Sequence, residues 1–343
     1  MPSAQKSNRY IVTAESLDAG FRPFTHRLPF PRNRDSAAWQ EWRVELRQRL
    51  REILLLDKLG DVPTPVPEII RTEDCGNYIR HTIEYETLPN TVVPAFLLVP
   101  KSEPEQKPAM ICPHGHVESC AEAVIDPEKA KNGVAYGHDL AARGMVVLAP
   151  YNAGNGVRDV DSEKFNTTGC ELLFRRLNHL GLDVTGFRIF ELMAGLNILQ
   201  AREDVDGDRI GAAGLSGGCW LSHVLTALDE RVKAAILSSF FTSFEQTVWF
   251  EHCLCHHPKG IGEICELYDL AALIAPRPLF VESGIHDTGY PIEPAFSYTR
   301  EAYRLLDAES NLQLDRYEGM PGTYHMFHGK HSIPWIVDKL NKP

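Results

Sequence analysis

Gly214-Leu215-Ser216-Gly217-Gly218 is the most informative stretch of this sequence. The residues before it, 209–213, predict a short buried strand, and residues 219–228 predict a helix. A serine on a tight turn between a strand and a helix is held in a strained backbone and points out of the sheet edge. The small residues beside it suit a turn with no space for side chains. The stretch therefore predicts a nucleophile elbow rather than a glycine-rich loop around an inert serine.

Length and composition limit the classes of protein that need to be considered. The chain has 343 residues, enough for one large α/β domain with an extension or for two domains. We expect an N-terminal extension over residues 1–68 that contains an amphipathic helix, and a catalytic domain over residues 69–343. The formal net charge of −11 argues against nucleic acid or an anionic membrane as the main partner.

The predicted location is the cytoplasm. Residues 1–7 lead into polar sequence without the apolar core of a secretory signal, and no apolar run reaches the ~20 residues of a membrane span. Eight cysteines in a chain of this length, with no signal, are expected to be reduced thiols. A small-molecule substrate is the expected partner, and assembly into a homo-oligomer is left open.

The order of predicted elements indicates the fold class. Residues 37–59 predict an amphipathic helix packed on the main domain, and residues 79–85 and 92–99 predict an antiparallel hairpin. Strands and helices then alternate. The predicted strands are 109–113, 145–150, 232–238, 278–283 and 312–317; the predicted helices are 135–143, 186–202, 267–273, 294–306 and 332–340; and residues 204–208 predict a turn. Apolar strands alternating with helices predict a mostly parallel central sheet covered by helices on both faces.

A catalytic serine needs a base and an acid, and their order in the chain can be tested. The serine hydroxyl must lose a proton to a histidine, which a carboxylate orients. In the α/β-hydrolase fold the order is serine, acid, histidine. Asp287 follows the predicted strand 278–283 and is the candidate acid, with Glu282 inside that strand as a weaker rival. His325 and His328 both follow the last predicted strand and both qualify as the base.

Backbone N–H groups are expected to stabilise the oxyanion of the reaction. Gly217 follows the serine at a predicted helix N-terminus and supplies one donor. The loop after the early strand supplies the second, with His116 favoured over Val117. Gly115 allows the backbone to approach the substrate closely. His114 in the same loop is a candidate substrate contact.

Two further segments are predicted to shape the substrate pocket. Asn152 and Arg158 flank a Gly-Asn-Gly turn at the same sheet edge and are candidate substrate contacts. Residues 251–257, Glu-His-Cys-Leu-Cys-His-His, combine thiols and imidazoles, and Cys265 follows. A pocket loop or lid that includes His256 is the preferred interpretation, an inert surface loop the second and a metal site the third, because a lone Cys-x-Cys lacks the second ligand pair of zinc modules. No metal and no cofactor is predicted.

The assembled residues resemble the dienelactone-hydrolase-like and acetyl-xylan-esterase-like branch of the bacterial α/β-hydrolases. The resemblance covers roughly residues 93–340 and rests on residues 204–211, 273–279, 325–329 and 334–335. It implies Ser216 as nucleophile, Asp287 as acid and His325 as base, since the x-Phe-x-Gly that follows the family's catalytic histidine selects His325 over His328. It also implies carboxylic ester hydrolysis without a metal or organic cofactor.

Three features differ from the family patterns and leave the ester undefined. Dienelactone hydrolases use a cysteine where this chain has Ser216. The Arg-Gly-Gln segment of acetyl xylan and cephalosporin deacetylases is replaced by residues 152–156, Asn-Ala-Gly-Asn-Gly. Glucuronoyl esterases carry an arginine after the serine, where this chain has Gly217.

The sequence thus predicts a soluble serine hydrolase that cleaves a carboxylic ester, with an acetylated carbohydrate among the candidate substrates. An oligopeptidase-like serine peptidase ranks lower, because the residues before the hydrolase region are too few for a propeller. A non-catalytic binding module that keeps the hydrolase fold is the rival from another class.

Overall fold

The computed structural model of the chain describes residues 28–31, 35–102, 106–131, 133–244, 253–287, 291–319 and 324–341. Its centre is a nine-stranded sheet in the order β1-β2-β3-β5-β4-β6-β7-β8-β9. The strands are β1 (Glu68–Asp74), β2 (Tyr78–Leu88), β3 (Thr91–Pro100), β4 (Lys107–Ile111), β5 (Val146–Pro150), β6 (Val205–Leu215), β7 (Val232–Ser238), β8 (Leu279–Gly284) and β9 (Leu312–Tyr317). The predicted hairpin and all later predicted strands are present.

The sheet has an antiparallel edge and a parallel centre. Strands β1, β2, β3 and β5 pair antiparallel in that order, and the strands from β5 through β4 to β9 pair parallel. The carboxyl ends of the parallel strands therefore meet at one edge, which is where ligands bind in open α/β sheets. The loops after β4, β6, β8 and β9, which hold the predicted site residues, all start at this edge.

Helices cover both faces of the sheet. In the described part of the chain they are α1 (Ser36–Ile53), α2 (Ala121–Ile125), α3 (Tyr136–Ala141), α4 (Gly169–His179), α5 (Val184–Gln200), α6 (Gly217–Leu228), α7 (Ile261–Ile264), α8 (Leu267–Ile274), α9 (Ala295–Leu305) and α10 (Ser332–Asn341). One core cluster joins α1, α5, α6, α8 and α9 to the sheet, and the other joins α2, α3 and α10 to its opposite face. None of the helices described is long and apolar enough to cross a membrane.

Helix α1 is built into the main core. Asp35 caps its N-terminus by accepting a hydrogen bond from Ala38 N, and the buried stripe Trp39, Trp42, Leu46 and Leu50 follows helical spacing. These side chains belong to the same apolar cluster as α5 and α6. The predicted helix ends earlier than expected, at Ile53, and a 3₁₀ turn at Leu56–Leu59 follows. The domain division at residue 68 stays a prediction, and residues 1–27 lie outside the described residues.

Several local features differ from the sequence prediction, among them the short helices α2 and α7, which were not predicted. Strand β1 was not predicted because its seven residues are almost all exposed and lack apolar alternation. Helix α4 was not predicted either, although its N-cap Thr168 accepts from Glu171 N at 3.2 Å. The turn predicted at 204–208 is the opening of β6, where the register is irregular between the pairs Lys107–Val205 and Ala109–Ile210.

Candidate active site

Ser216 lies at the point where β6 ends and α6 begins. Its backbone has φ 58° and ψ −119°, a left-handed region that a non-glycine residue occupies only when its surroundings enforce it. Its N–H donates to Ser238 O on β7 at 3.0 Å, and its carbonyl accepts from Trp220 N in α6 at 3.0 Å. Sheet and helix thus fix the strained turn from both sides, as the predicted elbow requires.

Two close backbone approaches explain why glycines surround this serine. A Cβ on Gly218 would lie 2.2 Å from the carbonyl oxygen of Pro113, in the loop after β4. A Cβ on Gly115 would lie 2.7 Å from Leu215 O and 3.3 Å from Ser216 Cβ. The loop after β4 is therefore pressed against the elbow at a distance that admits no side chain on either backbone.

Asp287 and His325 form a hydrogen-bonded pair. Asp287 lies three residues after the end of β8, and its carboxylate Oδ2 is 2.8 Å from His325 Nδ1. The carboxylate is largely buried, whereas the imidazole is about a third exposed. A carboxylate can only accept here, so Nδ1 carries the proton and Nε2 is the nitrogen that can take another. Thr288, Gly289 and Tyr290 of the acid loop lie outside the described residues.

One serine links the nucleophile turn to the histidine loop. Ser238, the last residue of β7, accepts from Ser216 N through its carbonyl and donates from its hydroxyl to Met326 O at 3.0 Å. Tyr317 Oη also donates to Met326 O, at 2.6 Å. Met326 follows His325 directly, so the backbones that carry the candidate nucleophile and base are tied to the same residue.

Glu282, the weaker candidate acid, has a different position. It is fully buried in β8, and burial raises the pKa of its carboxyl. Its oxygens accept from His328 N at 2.8 Å, Gly329 N at 3.2 Å and Ser332 Oγ at 2.6 Å. Glu282 thus fastens the segment that follows His325 to the sheet, and no described contact joins it to the His325 ring.

His328, the alternative base, belongs to a second histidine–carboxylate group. Its Nδ1 is 3.3 Å from Asp315 Oδ2, and His331 Nδ1 is 3.0 Å from the same oxygen. Its ring stacks on Tyr317 with centroids 4.7 Å apart. The geometry therefore couples Asp287 to His325 and leaves His328 with another partner.

The predicted oxyanion donors lie on the two backbones that meet at the elbow. Gly217 is the first residue of α6, where N–H groups lack intrahelical partners and the helix dipole favours negative charge. No described residue accepts a hydrogen bond from the N–H of Gly217, His116 or Val117. Two donors at this position could bind the oxygen of a tetrahedral intermediate.

Three predicted substrate contacts are instead engaged inside the protein. His114 is buried; its Nε2 accepts from Asn152 N at 3.0 Å, and Asn152 Nδ2 donates to His114 O at 2.7 Å. Burial lowers the pKa of His114 to about 3, so the ring is neutral and Nδ1–H donates to Gly115 O at 2.7 Å. Arg158 forms a two-bond ion pair with buried Glu191 at 2.6 and 2.7 Å. His114 and Asn152 thus join the loop after β4 to the loop after β5, and Arg158 joins the loop after β5 to α5. Their role as substrate contacts stays a prediction.

His116 belongs to a cluster that the sequence did not reveal. Ligand-type atoms of His116, Cys170, Cys253 and Cys255 all lie within 4.8 Å of one another. Burial opposes protonation of His116, but the neighbouring thiols of Cys170 and Cys253 outweigh it and raise its pKa to about 9. Hydrogen bonds from the other two thiols lower the pKa of Cys170, with Arg188 and His116 acting in the same direction.

The four residues of this cluster come from three separate segments of the chain, so no single sequence motif contains them. Cys253 and Cys255 were noted, whereas Cys170 lies in the unpredicted helix α4 and His116 in the loop after β4. Cys265 is buried in the main core instead. Glu251 and His252 of the same stretch lie outside the described residues.

An open cleft of about 800 Å³ lies in front of Ser216. His116 and His256 form part of its wall, and their rings meet edge to face with centroids 5.0 Å apart. The other lining residues are Val117, Glu118, Cys120, Asn155, Gly156, Thr168, Cys170, Glu171, Cys253 and Leu254. Three residues of the segment 251–265, predicted to be a pocket loop, thus line the same cleft as Ser216: Cys253, Leu254 and His256.

The chain and its fold match known hydrolases. The model of the Abhydrolase family matches residues 1–334. The chain belongs to the Abhydrolase family. The candidate hydrolase YtaP of Bacillus subtilis (strain 168) is 25% identical over 263 residues, 73% of this chain and 83% of YtaP. The α/β-hydrolase fold and the hydrolase class predicted from the sequence are confirmed.

Solved structures share the fold of this Abhydrolase member. A candidate acetyl xylan esterase from Bacteroides fragilis superposes with a TM-score of 0.81 at 18% identity, over 98% of this chain and 97% of that one. Methylesterase BT1017 superposes with a TM-score of 0.68 at 23% identity, over 89% of this chain and 64% of that one. At these identities the likeness extends to the fold.

Proposed function

We propose that this Abhydrolase member is a serine esterase with Ser216 as nucleophile, His325 as base and Asp287 as the carboxylate that orients the base. The observation that carries the proposal is the strained backbone of Ser216, φ 58°, at the mouth of a cleft. Strain of this kind persists where the surrounding structure enforces it, and it clusters at reactive sites. The 2.8 Å His325–Asp287 hydrogen bond supports the assignment of base and acid.

The proposed reaction has two halves. Ser216 Oγ attacks the ester carbonyl carbon while its proton passes to His325 Nε2, and the carbonyl oxygen becomes an oxyanion held by the Gly217 and His116 N–H groups. Collapse of this intermediate expels the alcohol, which takes the proton from His325. Water then attacks the acyl-enzyme with the same proton transfers, which releases the acid and restores Ser216. Asp287 stabilises the imidazolium in both halves.

The proposed substrate is a small carboxylic ester of a carbohydrate. The relatives of known fold include proteins named as acetyl xylan esterase and methylesterase, which supports this class. The cleft also presents Thr168 and Glu171, side chains that can hydrogen-bond sugar hydroxyls. We assign substrate contact to this wall and to His256, and loop support to His114, Asn152 and Arg158. A cytoplasmic location is proposed because none of the eight cysteines, all of them described, forms a disulfide.

A substrate panel tests this proposal. The purified protein is assayed on p-nitrophenyl acetate, acetylated xylo-oligosaccharides, a methyl-esterified uronate and a peptide amide. We expect the highest kcat/KM on one of the carbohydrate esters and no peptide cleavage. Ser216→Ala removes the nucleophile and should lower turnover by roughly 10⁴-fold or more, while Ser297→Ala, at an exposed helix position, should leave it unchanged. Preferential cleavage of the peptide would support the peptidase alternative, and no turnover of any ester would support a binding module.

A further inference from the structure

We propose that His116, Cys170, Cys253 and Cys255 bind one zinc ion that holds the cleft wall together. Three thiols and one imidazole are the ligand set of a structural zinc site. His116 Nε2 lies 3.3 Å from both Cys170 Sγ and Cys255 Sγ, and all four ligand atoms lie within 4.8 Å of one another. Tetrahedral zinc with its usual bond lengths separates sulfur from nitrogen by about 3.6 Å and two sulfurs by about 3.8 Å. The cluster therefore has nearly the required dimensions.

A buried arginine beside the cluster gives independent support. Arg188 is only 3% exposed, and no carboxylate of a described residue forms an ion pair with it. A buried charge without a counter-charge is strongly unfavourable. Its guanidinium donates to Cys170 Sγ at 3.0 Å and to Ala153 O at 2.6 Å. Zinc with three thiolates carries a net charge of −1, which the guanidinium balances.

The surroundings of the sulfur atoms also fit bound thiolates. Asn155 Nδ2 donates to Cys170 Sγ at 3.3 Å, while Asn155 Oδ1 accepts from Arg188 at 3.3 Å. Outer hydrogen bonds of this kind orient metal ligands and stabilise thiolate charge. Thr185 Oγ1 donates to Cys255 O at 2.7 Å and fixes the backbone of that ligand on helix α5.

The arrangement indicates a structural site rather than a catalytic one. Four protein ligands complete a tetrahedron and leave no position for water or substrate. The ligands come from the loop after β4, the first turn of α4 and the turn at residues 253–255, which all line the cleft. One ion would thus join three segments that are far apart in the chain. If the proposed function holds, the ion also positions the oxyanion donor His116 N–H.

Zinc content is the direct test, and it does not depend on esterase activity. The full-length protein, without a histidine tag, is produced in zinc-supplemented medium, dialysed, and analysed by mass spectrometry of the metal. We expect about one zinc per chain in the wild type, in Ser216→Ala and in Cys75→Ser, a matched cysteine outside the cluster. Cys170→Ser and Cys255→Ser should lose most of it. Equal zinc in Ser216→Ala and the wild type separates this proposal from the catalytic one.

A spectroscopic measurement on the wild type covers the case in which the cysteine variants do not fold. Metal is removed with a chelator under reducing conditions, and Co²⁺ is added. Intense tetrahedral d–d bands with thiolate-to-cobalt charge transfer, abolished by one equivalent of Zn²⁺, are expected. The proposal is overturned if reduced wild type binds neither metal stoichiometrically, if the two serine variants keep their zinc, or if mass analysis finds a disulfide among the three cysteines in freshly isolated protein.

Discussion

At the scale of single residues, His325 and His328 of the same loop differ in the carboxylate that each contacts. His325 reaches Asp287, which follows β8, whereas His328 and His331 share Asp315 of β9. Chain order alone placed both His325 and His328 in a suitable loop, and the family resemblance favoured His325. The fold adds that the imidazole of His325 is the one that contacts Asp287. Orientation by a carboxylate keeps the base in the tautomer that can accept the serine proton.

A pair of glutamine variants checks this distinction. His325→Gln removes the proton acceptor, so kcat on the best ester should fall by roughly 10⁴-fold or more. His328→Gln should keep nearly wild-type kcat, because Asp315 and Tyr317 hold His328 away from the pair. Asp287→Asn should lower kcat by about 10⁴-fold through loss of the correct tautomer. Equal losses in His325→Gln and His328→Gln would contradict the assignment.

At the scale of secondary-structure elements, the catalytic loops depend on anchors within the sheet. Glu282 is such an anchor: it lies in β8, and both of its carboxylate oxygens accept hydrogen bonds from residues 328–332. Burial raises the pKa of its carboxyl, and the hydrogen-bond donors around it act in the opposite direction. The strand therefore fixes the loop that carries His325.

Glu282→Gln tests the anchor. The amide group would place a donor against the N–H of His328 or the N–H of Gly329, so the free energy of unfolding should fall by about 1–3 kcal/mol. Urea denaturation followed by circular dichroism measures this change, and kcat should fall with it because His325 is held less firmly. Glu309→Gln, on the surface, is the matched control. An unchanged unfolding midpoint would refute the anchoring role.

Elements with a strong apolar pattern were predictable from the sequence, and exposed ones were not. Buried strands such as β5 and β7 are apolar runs with clear boundaries, and β9 was predicted with its observed ends. Strand β1 forms through pairing with β2, which leaves no periodic signal in its exposed side chains. Residues 204–208 were predicted as a turn, but β6 already begins there because Val205 pairs with Lys107 of β4.

Site features formed by one contiguous segment were predictable from the sequence, whereas features formed by distant segments were not. Ser216 could be predicted as the candidate nucleophile because its turn, strand and helix are contiguous in the chain. The partner of Arg158 is Glu191 of α5, and the partners of Cys253 are Cys170 and His116. Contacts between distant segments follow from the assembled fold, so the charge pair and the thiol cluster were not predicted.

At the scale of the whole molecule, the core contains groups that make stability depend on pH. His223 of α6 is fully buried, stacks on Phe241 with ring centroids 5.8 Å apart, and forms no hydrogen bond with any described residue. Burial lowers its pKa from 6.5 to about 3. The unfolded chain therefore binds a proton that the native state excludes between these pH values, and stability decreases as pH falls through that window.

His223→Leu isolates this contribution. Leucine fills the apolar site without titrating, so the variant should gain stability relative to the wild type by about 2 kcal/mol between pH 7 and pH 5. His114 titrates in both proteins, and its effect cancels in the difference. Urea unfolding at a series of pH values gives the comparison. A stability difference that is constant from pH 7 to pH 5 would show that His223 is not held neutral by burial.

The central claim is that Ser216 is an activated nucleophile, and labelling with a fluorophosphonate tests it most directly. The probe reacts with a serine only when a base removes its proton, and it requires no knowledge of the natural ester. Peptide mapping by mass spectrometry should find one equivalent of probe on Ser216 in the wild type. It should find none in Ser216→Ala and strongly slowed labelling in His325→Gln. A wild-type protein that stays unlabelled, or carries the probe on another serine, would contradict the account.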